Sequence, residues 1–290
     1  MNVNKWLFEN TSSLKGKTVA LTGSTGGLGK ELCKHLASLG ADLILIDRNA
    51  ERSRTLGKEL EQQYKVNVSY LSADLEKLDS VKEATEHLLK SELDFFIHNA
   101  GAYDIPRHKT EQGYDNVFQI NFVSPYYIIK QLLPKLSQRG GKAVAVGSIA
   151  HNYSKIDLND LDFSTRKAAS KVYGNAKRHL MFSLFELFEN EKSASLSIVH
   201  PGISFTGITN HYPKLIFAII KHPMKVIFMK PKKACLSIVK GIFDSTDKNE
   251  WIGPRFFNVW GKPKKQKLKT CSAEESKEIG ARAEKVFSKL

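Results

Sequence analysis

The chain has 290 residues, 41% of them hydrophobic and 26% charged, with a formal net charge of +14. These values exclude collagen-like and disordered classes and leave room for one substantial core. Cys33, Cys235 and Cys271 are widely spaced and form no C-x-x-C pair, so reduced thiols in a cytoplasmic protein are expected, and no metal site.

Residues 1–17 hold no continuous apolar run ending in a cleavage site and do not read as a secretory signal. Residues 17–22 (K-T-V-A-L-T) form an apolar run that ends in a glycine cluster, the pattern of a buried strand. A helix follows over 27–39, with Leu28, Leu32, Leu36 and Leu39 near helical spacing and Gly40 as its stop. Strands are expected at 43–46, 66–71, 93–97, 142–146 and 195–199. Helices are expected between them at 50–64, 75–90, 113–136 and 165–189. Short apolar runs alternating with longer helical patterns predict an α/β fold, a parallel sheet with helices on both faces. L-I-L-I and F-F-I are continuously apolar, as strands covered on both faces should be. No linker divides the chain, so one domain over 1–290 is expected.

The excess charge lies late in the chain, at Lys221, Lys225, Lys230, Lys232 and Lys233, then at Lys262, Lys264, Lys265, Lys267 and Lys269. Solvated surface is the default reading, and attraction to a membrane surface the second. Nucleic-acid binding is third, because no zinc-finger spacing or RNA-binding motif accompanies the charge.

Residues 22–29 read T-G-S-T-G-G-L-G, between the first strand and the first helix. Gly23, Gly27 and Gly29 let the backbone approach a pyrophosphate, and the helix N-terminus offers it free N–H donors. Ser24 and Leu28 belong to the same cofactor-binding turn. Tyr173-Gly174-Asn175-Ala176-Lys177 is a Y-x-x-x-K motif, and its i, i+4 spacing puts phenol and ammonium on one helix face. An ammonium so placed would favour the phenolate and lower its pKa. Tyr126 and Lys130 share that spacing.

With its G-x-x-x-G-x-G spacing and the Tyr173–Lys177 pair, the sequence resembles the short-chain dehydrogenase/reductase family from about Leu14 to Pro201, and more weakly to the C-terminus. The resemblance implies a Rossmann-type doubly wound sheet of about seven parallel strands. It implies adenine contacts from Asp74 and Leu75, and ribose contacts from Asn99, Ala100 and Gly101. Pro201 and Gly202 would flank the nicotinamide and Thr206 would hold its carboxamide. His98 stands where an asparagine is usual, a tolerated variation and not a ligand. In the family order the catalytic serine ends the fifth strand and the Tyr–Lys pair follows it, which implies Ser148, Tyr173 and Lys177 as catalytic residues and leaves Tyr126 to ordinary packing. Asn121 fits the helix asparagine that completes the set of four.

Asp47 ends the second strand, where a carboxylate can bond the ribose hydroxyls of NAD and repel the extra phosphate of NADP. Arg48, one place on, points toward NADP. With no cation at Ser24, Thr25 or Gly26, NAD is the expected cofactor and NADP the second choice. The stretch 148–173 and His200-Pro201-Gly202 resemble the retinol-dehydrogenase-like branch, which implies a hydrophobic alcohol or carbonyl as substrate. Residues 214–229 (K-L-I-F-A-I-I-K-H-P-M-K-V-I-F-M) lie in the substrate-binding segment near 203–230. They are too short and interrupted for a membrane span. A lid over the substrate leads, with peripheral membrane contact and a homo-oligomer surface as the other readings. A catalytically silent dinucleotide-binding sensor or scaffold is the alternative to an enzyme; the complete set of four favours the enzyme.

Overall fold

The computed structural model describes residues 2–202 and 229–290. Six short apolar segments form parallel strands: β1 (Thr18–Thr22), β2 (Asp42–Asp47), β3 (Val68–Ser72), β4 (Phe95–His98), β5 (Lys142–Val146) and β6 (Ser195–Val199). Two more complete the sheet, β7 (Glu250–Phe256) and β8 (Trp260–Lys267). Their order is β3-β2-β1-β4-β5-β6-β7-β8. β1 to β7 pair in parallel, while β8 runs antiparallel to β7. The expected sheet of about seven parallel strands therefore has eight, the last reversed. Alternation of polar and lysine residues along β8 (W-G-K-P-K-K-Q-K) reads in sequence as surface charge, and its pairing to β7 supplies the strand.

Side-chain alternation divides the core into two layers. Ala20, Ile44, Ile46 and Phe96 face a cluster with α4 (Leu78–Lys90), α6 (Ser124–Arg139), α7 (Ala169–Leu187) and the C-terminal helix (Ala273–Phe287). Val19, Leu21, Leu43 and Leu45 face the opposite layer, with α1 (Val3–Asn10), α2 (Gly27–Ser38), α3 (Ala50–Tyr64) and the helix Leu236–Phe243. Helices on both faces explain why β1, β2 and β5 are buried along their lengths.

Three local differences have identifiable causes. α1, which the sequence pattern did not signal, is capped by the Asn2 side chain accepting from Lys5 N–H, and it buries Val3, Trp6 and Leu7. The helix expected over 113–136 starts instead with α5 (Asn116–Phe118), capped by Asp115, passes through a π-helical turn at Gln119–Val123 and continues as α6. A π-turn leaves the apolar pattern almost unchanged, so periodicity does not reveal it. The expected helices at 75–90 and 165–189 begin late, at Leu78 and Ala169. No described helix is long and apolar enough to cross a membrane.

Candidate functional site

The C-terminal ends of β1, β2 and β4 meet at the glycine turn. Gly23 has φ +70° and lies against Ala100: a Cβ there would stand 2.9 Å from the Ala100 Cα. At Gly29, in the first turn of α2, a Cβ would fall 2.1 Å from the Gly23 carbonyl oxygen. These two positions exclude any side chain. Gly27 and Leu28 open α2, whose cap residue Gly26 supplies no side-chain acceptor to the first N–H groups. Those donors are suited to an anion.

Asp47 at the end of β2 accepts hydrogen bonds from the Ser24 hydroxyl, from Thr25 N–H at 3.2 Å and from the Thr25 hydroxyl at 3.1 Å. Its carboxylate thus ties β2 to the turn and presents acceptor oxygens beside it. Arg48 is exposed. Asp74 caps its own loop by accepting from Glu76 N–H, and the buried Leu75 offers its carbonyl to the Ser124 hydroxyl at 2.6 Å.

Asn99 donates to the carbonyls of Thr22 and Gly23 at 3.2 and 3.1 Å, stapling β4 to the turn. Its Oδ1 is buried and has no partner. The Thr22 hydroxyl accepts from Asn99 N–H and Ala100 N–H at 3.1 and 3.2 Å, so its own hydrogen is left for His98 Nδ1, 3.1 Å away. His98 therefore fills its place in the sheet as a fully buried neutral imidazole. Burial first, and the Lys177 ammonium second, hold it well below the usual histidine range.

Gly101 follows, and a Cβ there would stand 2.8 Å from Asn121 Oδ1 and 3.7 Å from Lys177 Nζ. Asn121 sits in the π-turn and is wholly buried. It donates to the carbonyls of Ala102 and Val117, each at 2.8 Å. The π-turn thereby presents Asn121 to the loop after β4.

Ser148, after β5, caps a 3-10 turn at Ile149–Tyr153 by accepting from Ala150 N–H. α7 packs on that turn because residue 174 is glycine: a Cβ would lie 2.3 Å from the Ala150 carbonyl oxygen. This close approach brings Tyr173 to Ser148. The Tyr173 ring is half-buried, and the surrounding protein pushes its phenol up to about 12; a hydrogen bond with Ser148 pulls the other way, and Tyr103 adds to the rise. The expected lowering by the neighbouring ammonium is therefore corrected: among the protein's own groups, burial wins. Lys177 Nζ lies 5.8 Å from the centre of the Tyr173 ring and donates to the Val146 carbonyl at 2.9 Å. Burial brings its ammonium down to about 7. The arrangement brings a hydroxyl donor, a phenol and a lysine close together, which suits proton exchange with a substrate oxygen.

Sequence reasoning missed three neighbours. Tyr103 sets its ring edge-on to Tyr173, with centroids 5.3 Å apart; the only signal was its place two residues after Gly101. His200 stacks on Trp251 at 4.9 Å, beside the buried Pro201 and Gly202. Arg178, 1% exposed, grips Glu275 of the C-terminal helix through two bonds, at 2.8 and 2.6 Å, and donates to the His151 and Thr270 carbonyls. Thr206 and residues 214–228 lie outside the described residues. A groove of about 850 Å³ lined by Phe8, His35 and Tyr64 borders α1, α2 and α3, and none of the catalytic candidates lines it.

The short chain dehydrogenase family profile matches residues 17–179. Retinol dehydrogenase 13 of Homo sapiens is 29% identical over 69% of this chain and 62% of its own length. The chain thus spans under two thirds of that relative. Among solved structures, an uncharacterised protein of Mycobacterium paratuberculosis superposes with TM-score 0.73 at 22% identity, covering 97% of this chain and 96% of that one. A short-chain dehydrogenase from Sphingobium yanoikuyae, in complex with NADPH, gives TM-score 0.61 at 19% identity over 94% and 96%. These two likenesses are of fold.

Proposed function

Since the chain belongs to the short-chain dehydrogenase family, we propose that it is an NAD(P)-dependent oxidoreductase interconverting an alcohol and a carbonyl. The observation that carries this reading is the junction of Gly174 with Ala150, which sets Tyr173 against Ser148 while Lys177 lies beneath.

The residues fit a dinucleotide. Two glycines form a cradle that a Cβ would fill, α2 has an uncapped N-terminus, and Asn99 Oδ1 is a buried acceptor without a partner. Gly23, Ser24, Gly27, Leu28 and Gly29 would hold its pyrophosphate, Asp47 the adenosine ribose, Asp74 and Leu75 the adenine, and the 99–101 loop with Lys177 the second ribose. Pro201 and Gly202, with Thr206, would border the nicotinamide. When bound, that ring accepts or donates the hydride. Ser148 donates a hydrogen bond to the substrate oxygen and Tyr173 exchanges a proton with it. Lys177 and a bound nicotinamide cation would oppose the effect of burial and bring the phenol toward a useful range.

NAD comes first because a carboxylate at the end of β2, Asp47, would repel a 2′-phosphate; Arg48 keeps NADP as the second choice. The substrate is a hydrophobic alcohol or carbonyl. The 29% identity to retinol dehydrogenase 13 supports a retinoid-like compound, with residues 203–230 forming its binding segment in a single domain. Turnover of a panel of lipophilic alcohols and ketones with NAD and NADP in parallel tests all of this. Activity with NAD, and a shift toward NADP in Asp47→Ala, are expected. Cofactor binding without turnover of any panel member would favour the silent sensor.

A further inference from the structure

The β7–β8 hairpin carries two features that folding does not explain. The first is its turn. Val259 N–H donates to the Phe256 carbonyl at 3.0 Å, and φ is +51° at Phe257 and +58° at Asn258. Positive φ at both central residues is the type I′ pattern, which favours Asn and Gly. Asn258 suits it, but a bulky side chain at Phe257 is strained there. That side chain gains no core contact in return, being 84% exposed. A strained backbone that holds an aromatic ring out into solvent points to a use for the ring. Phe256 and Trp260, paired across the strands, are also exposed, at 50% and 45%.

The second feature is charge. Lys262, Lys264, Lys265 and Lys267 are all exposed on β8, and Glu250 is the one acid of the hairpin. Lysines alone would be explained as protection of an edge strand. Joined to an aromatic tip, they form the surface that a phospholipid interface recognises: rings for the boundary of the acyl region, and ammonium groups on apolar stems for the phosphates. A single-stranded nucleic acid fits less well. Phe257 packs against Trp260 at 6.2 Å, so the rings form one cluster and not a row of separate platforms for successive bases.

We propose that this hairpin seats the protein on a bilayer rich in anionic phospholipid. The seat lies close to the proposed nicotinamide end of the site: a Cβ on Gly202 would meet the Val259 carbonyl oxygen at 2.7 Å and Pro254 Cγ at 2.9 Å. A lipophilic substrate would then enter from the membrane, a consequence that rests on the function proposed above, whereas the docking itself does not.

The test uses the full chain and vesicles of phosphatidylcholine, with or without phosphatidylserine. Trp6 and Trp251 are buried, at 3% and 2%, so a change in tryptophan emission on binding reports Trp260. Co-sedimentation and a blue shift are expected with phosphatidylserine vesicles and not with phosphatidylcholine alone. Phe257→Asn should weaken binding about tenfold, the loss of one buried ring. Asparagine fits the turn, so the unfolding temperature should hold or rise. Lys262→Glu and Lys264→Glu should each weaken binding about fivefold or more. Absence of binding by the unaltered protein overturns the proposal. So does undiminished binding by these variants, which would put the contact elsewhere, or retention on polyuridylate without retention on vesicles. None of these readouts uses substrate or cofactor, so a failure of turnover would sink the proposed function and leave the docking result standing.

Discussion

Two Y-x-x-x-K segments, Tyr126–Lys130 on α6 and Tyr173–Lys177 on α7, pack on the same face of the sheet and have opposite surroundings. Tyr126 is 2% exposed and donates to Glu284 Oε1 at 2.6 Å, while Lys130 pairs with the other oxygen of the same carboxylate. Burial and that carboxylate push the Tyr126 phenol far above its ordinary range. Tyr173 meets Ser148 instead, and Lys177 has a carbonyl for partner where Lys130 has a carboxylate. Spacing brings the two groups together on a helix; a neighbouring acid decides whether they remain chemically available.

The largest test of this contrast is a matched pair of variants. Tyr173→Phe should lower turnover about 100- to 10,000-fold with cofactor binding retained, the range for loss of a general acid–base. Tyr126→Phe should leave turnover unchanged. Substantial turnover in Tyr173→Phe would break the comparison.

A smaller effect sets the α7 side apart by its response to acid. His151, on the 3-10 turn, His179, on α7, and His200 are all buried, and burial brings each down from 6.5 to about 4. Between those values the unfolded chain binds protons that the folded chain refuses. Stability should therefore fall as the pH drops from about 6.5 to about 4, by about 3 kcal/mol per histidine. Urea unfolding at several pH values reads this directly, and a flat profile would refute it. The smallest effect lies on the α6 side. Glu284→Gln should cost about 1–2 kcal/mol in the same measurement by weakening the bonds of Tyr126 and Lys130, with kcat and KM unaltered.

The strands β1, β2, β4 and β5 were legible because strands covered on both faces must be apolar throughout. β8 was not, since an edge strand can be built from lysines and still satisfy its backbone on one side. In the proposed site, the glycine turn could be picked out from its place between a strand and a helix, and Ser148, Tyr173 and Lys177 through the resemblance to the family's order. What the sequence hid were contacts between distant segments: Tyr103 against Tyr173, and Arg178 against Glu275, 97 residues apart. The direction of the Tyr173 shift was hidden too, because it depends on how deeply the phenol is covered, which no spacing records.

The Arg178–Glu275 grip also has a consequence in time. Arg178 is the residue after Lys177, and a buried guanidinium without its carboxylate costs several kcal/mol. On the ribosome, the glycine turn and all of α7 are made before Glu275. At about 5–20 residues per second, Glu275 follows Arg178 after about 5–20 s. Through that interval the nascent chain holds all four proposed catalytic residues while the helix that carries Tyr173 and Lys177 lacks its anchor. Synthesis of the helix Ala273–Phe287, and not of the motif alone, would then be needed to steady the proposed site.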